Sequence, residues 1–100
     1  VSLPLAYGPE VKQDLASGFS WYETEQEGLG YEFVDEVLAC LDRIRLFPKA
    51  STEIRPGVRR TTLHRFPYNI VYKVSESEIT IIAVIHGSRH PSRWKKRLRN

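Results

Sequence analysis

The chain has 100 residues, 41% of them hydrophobic, and carries 15 Lys and Arg against 12 Asp and Glu for a formal net charge of +3. That balance excludes a disordered or fibrous chain and suits a single domain, 1–100, burying roughly two-thirds of its unfolded surface. A single cysteine, Cys40, excludes an internal disulfide and gives no zinc-ligand spacing; no apolar run approaches the ~20 residues of a membrane span, so the reading is a cytoplasmic chain with no metal, no cofactor and no membrane contact.

Ser2–Tyr7 reads as a short strand, and Pro4, which cannot donate to a ladder, places it at a sheet edge. Gly8-Pro9 breaks it, and Pro9 with Glu10 opens a helix that runs to about Glu25. Val11, Leu15, Phe19 and Tyr22 recur at helical spacing, with Trp21 to one side. Trp21 and Tyr22 are assigned to core and dimer surface, and Glu23, Glu25 and Glu27 to the exposed end of the helix. Gly28 and Gly30 end it and make the turn. A second helix follows from about Tyr31 to Phe47, with Phe33, Val34, Val37, Leu38, Leu41 and Ile44 as its apolar stripe and Cys40 facing inward beside them. Its acids come early and its bases late, as the helix dipole favours, and Pro48 stops it. So short a glycine-rich turn makes the two helices an antiparallel hairpin.

Lys49–Gly57 reads as a polar loop closed by Arg55-Pro56-Gly57. Val58–Phe66 reads as a strand, broken by Phe66-Pro67. Tyr68–Val74 alternates, with Tyr68, Ile70, Tyr72 and Val74 on one face and Asn69, Val71 and Lys73 on the other. Ser75-Glu76-Ser77-Glu78 links it to Ile79–Ile85, which is apolar on both faces except at Thr80. A strand covered on both sides sits in the interior of a sheet, so Ile79–Ile85 is taken as the central strand. After Gly87, Pro91 opens a last segment, Ser92–Leu98, of one or two helical turns or a loose basic tail. The fold class is α+β: an N-terminal edge strand, an antiparallel helical hairpin packed on one face of a mostly antiparallel sheet, and a short C-terminal helix or tail.

The modest net charge hides a polarity along the chain. Up to Glu53 there are ten acids and four bases; after it there are two acids, Glu76 and Glu78, and eleven bases. Such a basic half suits an anionic partner, either nucleic acid or an acidic protein segment. Arg59, Arg60, Arg65, Arg89, Arg93, Lys95, Lys96, Arg97 and Arg99 lie on the last strands and tail, where they could share one rim of the sheet. Guanidinium forks match phosphate and carboxylate alike; the bland alternative is a solvated face. His86 and His90 could serve as acid and base in phosphodiester cleavage beside those cations. The preferred assignment is structural, with His86 closing the last strand and His90 capping the final helix, because no third residue fixes a catalytic geometry. Gly87 and Pro91 oppose a helix that would bring the two histidines onto one metal. Tyr68 and Trp94 could stack on a base, but an aromatic after a turn more often folds back as a lid on the core.

Taken together, the helical hairpin ending in Leu46-Phe47-Pro48, then Arg55-Pro56-Gly57-Val58-Arg59-Arg60, Phe66-Pro67-Tyr68 with its strand, and His86-Gly87-Ser88-Arg89 with Pro91 and Trp94 resemble the RelE/ParE superfamily of bacterial toxins over nearly the whole chain. The resemblance implies the toxin half of a type II toxin–antitoxin pair, with a cognate antitoxin as partner and a homodimer or a toxin–antitoxin heterotetramer as possible assemblies. RelE-like members cleave messenger RNA on the ribosome; ParE-like members bind DNA gyrase. The cleaving branch carries an arginine two residues before the Val-Tyr of the middle strand, where this chain has Asn69. It carries another just after the last strand, matched by Arg89, and a tyrosine or other acid–base group near the C-terminus, where this chain has Trp94 and Lys95 and no tyrosine. The His-Gly-x-Arg-x-Pro-x-x-Trp ending is similar to the ParE branch. The resemblance therefore implies a non-enzymatic gyrase inhibitor, with Arg59, Arg60, Arg65, Arg89, Arg93 and Trp94 as target or antitoxin contacts. The alternative is a ribosome-dependent endonuclease using Arg60, Arg65, His86, Arg89 and His90; a third reading is an inactive orphan binding module.

Overall fold

The computed structural model describes residues 3–89 and 91–99. In chain order it has strand β1 (Leu5–Tyr7), helices α1 (Val11–Glu25) and α2 (Leu29–Leu46), strands β2 (Thr52–Arg55), β3 (Val58–Thr62), β4 (Tyr68–Val74) and β5 (Ile79–His86), and a short helix α3 (Ser92–Lys95) continued by a 3-10 turn, Lys96–Arg99. The strands form one sheet in the order β1-β5-β4-β3-β2. Only β1 runs parallel to its neighbour, β5; the other pairs are antiparallel. The α+β layout read from the sequence is the one observed, with β1 at an edge. Ser2, the expected start of that strand, and His90 lie outside the described residues.

The helical hairpin turns on Gly28, whose φ of 89° suits a residue without a Cβ. Glu23, expected to be exposed, instead reaches across the turn. Its carboxylate accepts the backbone N–H of Gly28 and of Gly30, each at 2.9 Å. One acid from α1 thus caps the N-terminus of α2, where both the orphan N–H groups and the dipole favour a negative charge. Gly30 belongs to the first turn of α2 rather than to the loop.

Phe33, Val37, Cys40, Leu41 and Ile44 of α2 are buried against Ile70 and Tyr72 of β4 and Ile79, Ile81 and Val84 of β5. Leu38, expected in this stripe, is exposed, because the buried arc follows the i, i+4, i+7 and i+8 positions from Phe33 and leaves Leu38 outside it. Leu63 and Phe66, which sequence reading placed in one long strand, Val58–Phe66, belong to the same core. The strand stops at Thr62, and the following loop is tied to α2 where Glu36 accepts the backbone N–H groups of His64 and Arg65.

A second apolar cluster, Val58, Val71, Ile82, Ala83 and Trp94, covers the sheet face away from the helices. Trp94 is therefore the core lid that its position after a turn suggested. The two clusters explain why β5 looked apolar on both sides, and its register adds a detail. Val71 faces Ala83 but Tyr72 faces Ile81, so Ile82 is the extra residue of a β-bulge. Ile79 and Ile81 point to the helices, Ile82 and Ala83 belong to the opposite cluster, and Val84 returns to the helix side. β5 is interior, as its composition demands, but the middle strand of the five is β4. The region expected to be a polar loop contains β2, whose only apolar residue, Ile54, packs on the second cluster; an edge strand with one buried side chain leaves no alternation to read.

A candidate binding surface at the open edge of the sheet

β5 outruns its edge partner. The β1 register ends at Tyr7 opposite Ile81, and Gly8 donates its N–H to the Ile81 carbonyl at 2.8 Å before the chain turns into α1. Beyond that point the backbone of β5 needs other partners. Asp14 of α1 accepts the Val84 N–H on Oδ2 at 3.0 Å, and Arg97 donates from Nη1 to the Ile82 carbonyl at 3.0 Å. The two side chains also grip each other with two parallel bonds, Nη1 to Oδ2 at 2.7 Å and Nη2 to Oδ1 at 3.0 Å. They are 11% and 16% exposed. An ion pair thus stands where a further strand would put its backbone, and the Asp14 carboxylate raises the Arg97 pKa above its ordinary value.

Next to this pair lies an open cavity of about 230 Å³ whose wall includes Ser17, Tyr68, His86, Arg89 and Arg93. Burial raises the Tyr68 phenol pKa, and the Arg89 cation pulls it partly back. His86 stacks edge-on against Tyr68, with ring centroids 5.4 Å apart. Its Nδ1 accepts the Ser88 N–H at 3.1 Å and lies 2.7 Å from the Ser88 hydroxyl. A backbone N–H can only donate, so Nδ1 is an acceptor and the neutral ring carries its proton on Nε2. This is the structural hydrogen bond expected for a histidine closing a strand.

The other residues singled out in the sequence are dispersed. Arg59 and Arg60 are neighbours in β3 and so point to opposite faces. Arg59 lies opposite Tyr72, and its Nη1 donates to the carbonyls of Lys49 and Ser51 at 3.0 and 2.6 Å, pinning the connection between α2 and β2. Arg60 is opposite Val71 and exposed on the other face. Arg65 donates to Glu32 at 2.6 Å, with its guanidinium 5.4 Å from the Phe66 ring centroid; the Glu32 carboxylate, first through that hydrogen bond, raises its pKa. Both partners are exposed, so the pair contributes little to stability. Trp94 is buried and not available as a contact.

The single basic rim expected from the sequence is therefore corrected. Arg89 and Arg93 come together, while Arg59, Arg60 and Arg65 sit elsewhere and Trp94 faces the core. The same dispersal separates the nuclease set: Arg60 and Arg65 do not join His86 and Arg89, His90 lies outside the described residues, and Asn69 accepts the Thr62 hydroxyl at 2.8 Å. Sequence reading missed Asp14 altogether. Its signal was present: an acid three residues after Val11 and beside Leu15, on the face of α1 that the apolar spacing marks as buried.

The family described as "ParE toxin of type II toxin-antitoxin system, parDE" matches residues 5–91. Among solved structures, a chain titled "Chromosomal ParDE TA system from P. aeruginosa" superposes with a TM-score of 0.74 at 19% sequence identity, covering 85% of this chain and 96% of that one. That likeness is one of fold. No curated protein matches the sequence. No helix among the described residues is long and apolar enough to cross a membrane. With its family match extending over most of the sequence, the chain belongs to the ParE toxin family of type II toxin–antitoxin systems.

Proposed function

We propose that this chain arrests growth in the cytoplasm by binding DNA gyrase, without cleaving RNA, and that a cognate antitoxin neutralises it. Family membership supports the toxin role, and the matched ParDE fold supports an antitoxin partner. The observation that carries the contact surface is the pairing of Arg89 and Arg93 beside the open edge of β5. The one carboxylate in that wall, Asp14, is already committed to Arg97. Two guanidinium groups without a carboxylate partner among the described residues are available to carboxylates of another protein. Exposed Trp21, Tyr31 and Leu38 on the helices, with Leu46 and Phe47 at the end of α2, offer apolar surface to the antitoxin segment. Cleavage lacks support because His86 is held by Ser88, and Arg60 on β3 and Arg65 in the loop after it do not join His86 and Arg89.

The test is induced expression in a bacterium, with DNA and messenger RNA integrity scored in parallel. Trapped or broken DNA with intact transcripts is the expected result, relieved in the Arg89→Gln/Arg93→Gln variant at equal protein level. Cleaved transcripts with intact DNA would replace this reading with the nuclease one, and harmless expression of the folded wild-type chain would make it an inactive binding module.

A further inference from the structure

The cavity at the meeting of α1, β4, β5 and α3 has a charge that no acid in its described wall balances, another carboxylate, Glu10, lining a separate hollow beside Arg93 and Arg97. Arg97 is neutralised by the bidentate Asp14 carboxylate, and both Asp14 oxygens are used. Asp14 is the sole acid in the wall, so Arg89 and Arg93 leave two positive charges facing one concave space. A single carboxylate would cancel one of them. A phosphate monoester carries about −1.5 to −2 at neutral pH and three strong acceptor oxygens, so it cancels both.

The residues able to donate reach the space from several sides, which suits a group with three acceptor oxygens. They come from separate elements: the Ser17 hydroxyl from α1, the Tyr68 hydroxyl from β4, Arg89 from the turn after β5 and Arg93 from α3. At about 230 Å³ the space is smaller than the roughly 300 Å³ where sites for whole drug-sized ligands begin, so it fits one phosphorylated end of a molecule whose remainder lies outside.

We infer that this cavity is a binding site for a phosphate monoester, held by Arg89 and Arg93 with hydroxyl donation from Ser17 and Tyr68. The inference shares two arginines with the proposed contact surface but does not rest on that reading: failure to bind phosphate would leave growth arrest untouched, and the converse also holds. The group could come from a free mononucleotide or from the 5′ end of a nucleic acid.

The experiment titrates inorganic phosphate into the isotope-labelled full chain at constant ionic strength, following backbone amide shifts. Saturable changes confined to Ser17, Val84, His86, Gly87 and Arg89 are expected, weakened at least tenfold in Arg89→Gln/Arg93→Gln and unchanged in Arg60→Gln. A mononucleotide and a 5′-phosphorylated oligonucleotide, each against its 5′-hydroxyl counterpart, identify the source; a preference for the phosphorylated form of either supports the site. Shifts that track ionic strength without saturating, that map to another surface, or that do not distinguish 5′-phosphate from 5′-hydroxyl would overturn it. Because the mapping is read on the wild-type chain, it stands even if the double variant does not fold.

Discussion

Asp14 does three things with one carboxylate: it closes a backbone donor of β5, holds the guanidinium that closes a backbone acceptor, and ties α1 to the C-terminal segment. Such a pair need not be worth more than a well-packed apolar substitute, but removing one member leaves the other charged and nearly buried. Asp14→Asn keeps the shape and loses the charge, so Arg97 remains without its counter-ion. The expected cost is about 3 kcal/mol, read as a lower urea midpoint with an unchanged slope. Arg97→Ala should cost a similar amount. The double variant should cost clearly less than the sum, because the two residues act as one unit. Additive losses would mean that each side chain is held by something other than its partner. At this scale the sequence was least legible. Asp14 lies 83 positions from Arg97, and no local pattern couples them. Trp94, by contrast, was readable as a lid, since an aromatic after a turn more often folds back on the core than stays exposed, although the resemblance had also offered it as a contact.

At the scale of elements, the hairpin shows where helical propensity and packing compete. Gly18 lies in the middle of α1, where alanine would ordinarily gain up to about 1 kcal/mol. A Cβ there would stand 2.6 and 2.7 Å from two ring atoms of Phe33, itself wholly buried among Tyr22, Phe66 and Tyr68. The ring cannot yield without moving its aromatic neighbours, so the clash outweighs the propensity. Gly18→Ala should destabilise by about 1–3 kcal/mol, measured by chemical denaturation; a gain in stability would show that the ring has room to shift. The helices, the β4–β5 hairpin and the edge position of β1 were all legible, because each rests on a periodicity or a proline. The bulge at Ile82 and strand β2 were not. A bulge inside an all-apolar run changes no residue class, and β2 takes its identity from pairing with β3 rather than from its own side chains.

For the whole molecule, the polarity of charge along the chain proves to be a folding device as well as a surface. Acids of the first half meet bases of the second in the pairs Glu32–Arg65 and Asp14–Arg97. Counting acids by sequence neighbourhood therefore overstated the free positive charge, which narrows in space to places such as the Arg89–Arg93 wall. The core holds a different set of titratable groups, and these determine how the whole fold responds to alkali. Burial raises the pKa of the Cys40 thiol and of the Tyr22, Tyr68 and Tyr72 phenols above their ordinary values of 9.0 and 10.0. The folded chain therefore keeps these protons at a pH where the unfolded chain has released them. With more protons bound to the native state, stability falls as pH rises. Their contribution is fully present below about pH 8 and is lost as pH climbs through the thiol and then the phenol range, at roughly 1.4 kcal/mol per unit of pKa difference for the buried Cys40, Tyr68 and Tyr72 and less for the partly exposed Tyr22. Urea midpoints measured at pH 8, 9.5 and 10.5 should decline in that order. Tyr72→Phe should start from a lower midpoint, because it gives up the hydroxyl bond to the Pro48 carbonyl at 2.8 Å, yet show a shallower decline. A flat wild-type profile over this range would mean that the buried phenols ionise as freely inside the fold as outside it. An equally steep decline in Tyr72→Phe would assign the alkaline loss to other groups.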